Sequence, residues 1–493
     1  MARREVMQAV ELVEHDVAAD EPAADGPPSR RRLSRRRLLV PAAVVVALVG
    51  TQLVVATRER AAVAALAEVP GVVRPVDADL RVLRTPEPQS SVLGSGIVVD
   101  GKLVGLDTAA DGAQSLVAVD EQTGARAWAT PLSDAHTIDR GTDGFSPVGG
   151  CLAEPGTAGR AACLVTDGYL TYRDTAIVYV PDTASRLVVV DVADGSILAD
   201  RPAPSAVAAV LLPSTAVTAV PQEDGAVVVT ATDLVSGSPA WQTVVPPSPS
   251  VPDDSGFSDG STSMFATADG VGVVLPGRRL TLLDTQGRVV RSDLDADMGY
   301  SADPGRASVA VFSMDEAGRQ RTTVVGDGPD LELTGGMVQL SADDGSVPDL
   351  VLVADTTVRA YDRSTGDARW SIRHVIAGDA LVLRGRVYVS TGGGVVAVDG
   401  RTGKELWRAP VGPGLTLGGL VTDGRHLLSS QQRPEEPGDV TSPDDWPGVG
   451  VLVAYRFDDG GEDWRIDLPD GLFGVGAVRH TLVGWGSTSA VLG

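Results

Sequence analysis

An all-β fold of many small sheets arranged in a ring, with one transmembrane α-helix ahead of it, is the architecture the sequence predicts. Three observations lead there. A strand-turn-strand unit recurs along the chain. Segments of helical periodicity are nearly absent after residue 70, while Gly and Pro number 57 and 32, as many tight turns require. Upstream of the repeats, Leu38 to Thr57 runs without a charged residue.

The clearest copy of the unit is "VVAVDGRTGKELWRAPVG", Val395 to Gly412. Val395 to Val398 is a β-branched apolar run suited to a buried strand. Asp399 can fold its carboxylate onto backbone N–H groups two or three residues on, and Gly403 can take the positive φ that closes the loop. The next strand presents Trp407, whose ring can bury against a neighbouring element. A lone hairpin is marginal in water, so recurrence decides the matter.

"LVAVDEQTGARAW" ends at Trp128, "VTATDLVSGSPAW" at Trp241, "VRAYDRSTGDARW" at Trp370 and "LVAYRFDDGGEDW" at Trp464. Weaker copies without tryptophan surround Asp191, Asp284 and Asp315. The eight units place turn glycines at Gly124, Gly195, Gly237, Gly287, Gly318, Gly366, Gly403 and Gly460. The best turns pair Asp120 with Gly124, Asp362 with Gly366 and Asp399 with Gly403; Trp128, Trp241, Trp370, Trp407 and Trp464 occupy one repeat position and are expected to dock blades together. Self-similarity at about 40–50 residues, with several strands per unit, is the mark of a β-propeller. Counting hairpins gives eight blades, alternatively seven, over residues 77–493. Strand-like runs near Leu80 and in the C-terminal "HTLVGWGSTSAVLG" are expected to meet in one blade and close the ring, leaving no sheet edge open.

The A-x-D-x-x-T-G-x-x-x-W pattern, nearly intact from Ala397 to Trp407 and from Ala118 to Trp128, resembles the pyrroloquinoline-quinone-type propeller repeat, a WD40-like architecture. That repeat is shared by quinoprotein alcohol dehydrogenases and by the cofactor-free propeller lipoprotein of outer-membrane barrel assembly. The resemblance implies a structural role for the tryptophans, and this chain is closer to the non-enzymatic members. Quinone enzymes of the family stack their cofactor on a disulfide between adjacent cysteines and hold calcium with carboxylate and amide oxygens. No adjacent cysteine pair exists here. The acidic cluster Asp293, Asp295 and Asp297 puts Met298 and Pro304 where a calcium loop needs glycine and glutamate. Neither pyrroloquinoline quinone nor calcium is therefore expected.

Other chemistry finds no foothold either. The histidines, His15, His136, His374, His426 and His480, show no metal-ligand spacing. There is no G-x-S-x-G elbow and no phosphate-binding G-x-x-x-x-G-K-[ST] loop. A net charge of −24 repels phosphate backbones and argues against a nucleic-acid partner. The only lysines are Lys102 and Lys404, and this Arg-, Ala-, Gly- and Val-rich composition points to a GC-rich genome such as an actinobacterial one.

Leu38 to Thr57 is long enough to cross a hydrocarbon core, which needs about 20 apolar residues. Six arginines between Arg30 and Arg37 precede it, against Arg58 and Arg60 beside Glu59 after it. By the positive-inside bias, residues 1–37 form a disordered cytoplasmic tail, 38–57 the bilayer-spanning helix, 58–76 a stalk, and 77–493 an extracytoplasmic propeller. "SRRRLL", Ser34 to Leu39, also resembles a twin-arginine export signal, and small residues at Ala65 and Ala67 would suit cleavage. Cys151 and Cys163 bracket a short Pro- and Gly-containing loop and, in an oxidising compartment, form a disulfide. The role expected is a membrane-anchored, non-enzymatic scaffold binding an envelope protein or polymer. The competing readings are a quinone-dependent or other funnel-site enzyme and a ligand sensor signalling to the tail.

Overall fold

The computed structural model describes residues 61, 63–85, 97–109, 112–134, 145–147, 150–153, 159–173, 176–180, 184–247, 262–275, 277–303, 308–326, 329–373, 377–433, 450–486 and 489–493. The segment 38–57 read as a membrane span, and the tail before it, lie outside these residues. Among those described, no helix is long and apolar enough to cross a membrane. The compact unit starts at Ala62, so part of the stretch read as a stalk belongs to it.

That unit is an all-β propeller, and its described strands make nine blades rather than eight or seven. Counting turns finds eight because seven blades carry a glycine hairpin between their third and fourth strands and blade 5 carries one, Asp315 to Gly318, between its second and third, whereas the ninth has none. Its strands Leu472–Val478, Thr481–Gly486 and Ser489–Leu492 come from the C-terminus, and its fourth, Val82–Arg84, comes from before the first repeat. A count of turns cannot register a blade whose last two strands are not joined in sequence.

Blade 1 comprises Ile97–Val99, Lys102–Thr108, Gln114–Asp120 and Arg126–Ser133, joined as an antiparallel meander. Blades 2 to 5 repeat this arrangement, ending at Pro202, Val245, Asp295 and Thr334, and blade 8 spans Thr416 to Asp467. Fourth strands such as Arg126–Ser133 and Glu462–Asp467 alternate exposed and part-buried residues, whereas second and third strands such as Gly270–Leu275 and Gly394–Asp399 are buried almost throughout. The fourth strand is thus the outer rim and the first strand lines the axis. Blade 2 carries an extra three-stranded sheet of Phe145–Pro147, Tyr169–Arg173 and Ala176–Val180.

The turn joining strands one and two lies beside the turn joining strands three and four. Glu121 N–H donates to Gly101 O at 3.0 Å and Gly400 N–H to Gly385 O at 2.9 Å. Arg384 and Gly385 both take positive φ, 54° and 75°, the two-residue hairpin turn that matches strand twist.

Two features break the regularity. In blade 6 the first strand is only Gly336–Met337, paired with Val353 and Ala354. The chain then leaves the blade, and Gln339–Asp343 pairs in parallel with Ala377–Leu383, the first strand of blade 7, as a fifth strand on the axis side. Val338 and Val347 bury in the cluster shared with Leu352, Val387 and Val398, while Asp344 and Ser346 accept hydrogen bonds from Arg384 N–H and Gly385 N–H, both at 2.7 Å. These contacts hold the diverted segment.

The second feature is the chain leading into the ring. After a helical turn at 63–66, Gly71 N–H donates to Arg479 O, Val73 N–H to Thr422 O and Arg74 N–H to His480 O, at 3.1, 2.8 and 2.9 Å. Val72 forms a parallel bridge with Thr422. The segment therefore lies on the first turns of blades 8 and 9, and Arg74 pairs with Glu121 of blade 1. Asp423, with its side chain fully buried, accepts from Val76 N–H at 3.2 Å, Arg425 N–H at 2.8 Å and His426 N–H at 2.6 Å.

Candidate functional site

The repeat residues sit at the joints between blades. Asp399 accepts from Arg401 N–H at 3.2 Å, Thr402 N–H at 2.9 Å and Thr402 Oγ1 at 2.7 Å; Asp120 does the same with Gln122 and Thr123. Asp362 receives Ser364 Oγ at 2.6 Å, two backbone N–H groups, and Arg369 Nη2 at 2.5 Å. Hydrogen bonds to the ionised form hold all three carboxylates below the usual aspartate range: Thr123 N–H leads at Asp120, the Thr402 hydroxyl at Asp399, and the Ser364 hydroxyl and then Arg369 at Asp362. Gly124, Gly366 and Gly403 take φ of 68°, 74° and 69°, a region glycine enters without the strain a side chain would bring.

Four of the five docking tryptophans reach the corner of the following blade. Trp128 Nε1 donates to Val192 O at 3.2 Å, and Trp241, Trp370 and Trp407 donate to Thr285 O, Gly400 O and Phe457 O, each at 2.9 Å. The ring lies over the next blade's turn glycine. A Cβ at Gly195, Gly287, Gly403 or Gly460 would stand 2.7, 2.4, 2.6 or 2.4 Å from the indole of Trp128, Trp241, Trp370 or Trp407. The glycine and the tryptophan of the repeat are thus two halves of one latch, contributed by neighbouring blades. Trp464 differs, because the ninth blade offers no Asp-Gly corner; its ring meets His426 edge-on at 6.1 Å.

Sequence reading missed two arginines that replace the indole. Arg201 donates to Asp233 O at 3.0 Å and Leu234 O at 2.8 Å over Gly237, and Arg84 donates to Gly124 O at 3.2 Å. Spacing from the turns could have found Arg201. Arg84 lies too far from any turn in sequence.

Cys151 and Cys163 are disulfide-bonded across paired strands of blade 2, in a cluster with Val104, Ala118 and Val188, and both are buried. The bond is buried in the apolar cluster shared by blades 1 and 2. Breaking it with Cys151→Ala and Cys163→Ala is expected to lower stability by about 2–3 kcal/mol, the chain-entropy figure for so short a loop. Thermal melts of variant and parent measure this, and a variant melting like the parent would deny the bond a stabilising role. No group of three His, Cys, Asp or Glu side chains placed for a metal ion occurs among the described residues.

At the axis lies a cavity of about 750 Å³. It is lined by Ser301, Ser308 and Ala310 of blade 5, Val351 and Leu352 of blade 6, the diverted strand, Gly71, and Ala477 and Arg479 of blade 9. Ala310 and Val324 of blade 5 and Val351 and Leu352 of blade 6 form part of its wall.

Asp379, on the first strand of blade 7, accepts from Leu420 N–H at 3.2 Å, and burial pushes its pKa up. The folded chain holds this proton more tightly than the unfolded one, so stability falls as pH rises from the ordinary aspartate value through the raised one. Asp379→Asn is expected to remove that slope: from pH 7 toward pH 4 the parent should gain stability relative to the variant in parallel denaturant titrations. An unchanged difference between the two would show that the carboxyl titrates normally.

A family model described as outer membrane protein assembly factor BamB matches residues 112–297, 315–424 and 391–483, most of the chain. Among solved structures, BamB from Moraxella catarrhalis is 15% identical, with 84% of this chain and 98% of that one covered and a TM-score of 0.39. A eukaryotic initiation factor is 9% identical over 81% and 91%, TM-score 0.47, and Hsv2p of Kluyveromyces lactis 10% identical over 62% and 96%, TM-score 0.30. No curated protein matches the sequence.

Proposed function

The chain belongs to the family of outer membrane protein assembly factor BamB, and from that premise we propose that it serves as a non-enzymatic protein-interaction scaffold of the cell envelope. The observation carrying this reading is where the repeat's most chemically distinctive residues go. The turn aspartates are bound to their own backbones, and four tryptophans, with Arg201 and Arg84, latch one blade to the next. The signature is used in building the ring, and what the ring offers is surface.

In this reading the helix Leu38–Thr57 holds the protein in the bilayer, residues 1–37 stay in the cytoplasm, and the propeller stands outside. The uninterrupted apolar run and the arginines before it support that placement. The partner is an envelope protein.

Photo-crosslinking of the full chain in its own cells tests the role. A discrete crosslinked protein, recovered from wild type, is the expected result. Stoichiometric uptake of pyrroloquinoline quinone with calcium, together with dye-linked dehydrogenase activity, would overturn the scaffold in favour of an enzyme. Protease added outside intact cells should cut the propeller and spare the tail; the reverse pattern would sink the topology.

A further inference from the structure

We propose that the propeller rests on a lipid surface through an apolar arc at the outer corners of blades 2 to 4, where the third strand turns into the fourth. The proposal rests on the membrane-anchored reading above and adds a second point of contact to it. Of the large apolar side chains exposed among the described residues, five stand at these three consecutive corners: Ile197, Leu198, Val235, Val289 and Val290, between 40% and 51% exposed. Strand register accounts for their exposure. In blade 2 Val190 pairs with Ile197 and Val189 with Ala199, so Leu198 is a bulge; in blade 4 Leu283 pairs with Val289 and Leu282 with Arg291, so Val290 is one. A bulge breaks the inward-outward alternation of a strand, and two successive side chains then face water. The same two positions hold Arg126 and Ala127 in blade 1, Ala368 and Arg369 in blade 6, and Glu462 and Asp463 in blade 8. The bulge recurs around the ring, but large apolar residues fill both positions in blades 2 and 4, with Val235 at the corner between them.

Charge at these corners is largely tied up. Asp191, Asp194, Asp233 and Asp284 each accept an N–H of their own turn, and Arg288 is paired with Asp284. Blades 6 to 8 instead expose Asp367, Arg401, Lys404 and Asp458 at theirs. Carboxylates already hydrogen-bonded lose less on leaving bulk water, so the apolar arc can approach a lipid interface at lower cost than the charged corners.

The point where the chain enters selects lipid as the occupant. The corners share one end of the ring with the turns joining strands one and two: Val192 N–H donates to Gly159 O in blade 2, and Leu234 N–H to Ser214 O in blade 3. The leading segment lies on that same end, at blades 8 and 9. In the anchored reading the apolar run stops at Thr57, six residues before Val63, and six residues reach about 20 Å at most. Chain length therefore keeps this end of the ring near the bilayer surface. Blades 2 to 4 lie nearly opposite the entry point in a ring of nine, so leading segment and arc together seat that end flat. The contact is apolar, and with a net charge of −24 the chain gains nothing from anionic lipid.

The test reconstitutes the full chain in phosphatidylcholine nanodiscs, with an environment-sensitive fluorophore on one introduced cysteine. The sites are Leu198→Cys, Val290→Cys and, as the control, Val244→Cys, whose parent residue is 60% exposed at the opposite end of a fourth strand. Cys151 and Cys163 are disulfide-bonded, which leaves the label a single site. Spin-labelled lipid is expected to quench the fluorophore at 198 and 290 roughly threefold or more over that at 244, at low and high salt alike. Equal quenching at the three sites overturns the proposal, as does quenching that disappears in high salt, the sign of an electrostatic contact. Photo-crosslinkers at 198 and 290 that capture a protein rather than lipid in cells would give the arc to the envelope partner instead. A chain that fails to float with the nanodiscs refutes the anchored reading and the arc with it, whereas one that floats with 198 and 290 unquenched refutes the arc alone.

Discussion

Trp407→Ala is expected to lower the stability of the propeller by about 3–5 kcal/mol, the range for removing a buried aromatic side chain. Trp407 is 8% exposed, packs with Tyr388 at a ring separation of 5.8 Å, and gives its indole N–H to Phe457 O of the next blade. The loss should fall on the joint between blades 7 and 8. A double-mutant cycle separates this from general damage. Gly460→Ala alone must strain a φ of 67° and press a methyl against the indole. Once Trp407 is gone the second penalty vanishes, so the two changes together should cost at least about 1 kcal/mol less than their sum, the coupling seen for residues in contact. Additive losses in denaturant unfolding would mean that tryptophan and glycine do not form one latch.

The second large effect is expected at Asp423→Ala. Its carboxylate accepts from three backbone N–H groups, of Val76, Arg425 and His426, in a place where the side chain is fully buried. Removing an acceptor strands buried donors at about 1–3 kcal/mol each, so a total near 3 kcal/mol is expected. Because Val76 belongs to the leading segment, the variant should also expose residues 63–80 to limited proteolysis. Asp423→Asn keeps an acceptor oxygen and should recover part of both effects. If cleavage in 63–80 were no faster in Asp423→Ala than in the parent, the carboxylate would not be what fastens the leading segment.

The ring was legible in the sequence where structure is local. An aspartate and a glycine four residues apart make the same corner at Asp120, Asp362 and Asp399, since each turn is set by bonds within itself. The indoles were legible as docking residues because bulk at a fixed repeat position has few other uses. What escaped were pairings between residues distant in the chain. Val82 meets Leu492 in the ninth blade, and no periodicity links them. The transfer of Gln339–Asp343 to blade 7 was hidden because any apolar strand reads alike whichever neighbour it joins. The cavity it lines was accordingly invisible. The leading segment was read as a stalk because Arg74 and Val76 declare themselves only once Glu121 and Asp423 are in place.

The pairing of Val82–Arg84 with Ser489–Leu492 sets a schedule for assembly. Val82–Arg84 must wait, unpaired on one side, until Ser489–Leu492, some four hundred residues on, exist and reach it. The joint between blades 9 and 1, with Leu103, Val119, Val483 and Val491 in one apolar cluster, is then a late event with a large loop to close. Until residues 489–492 have been made, blade 1 presents an apolar flank and an unfinished neighbour, the condition in which β proteins misassociate. Removing the last strand would keep every repeat hairpin and still leave an open ring.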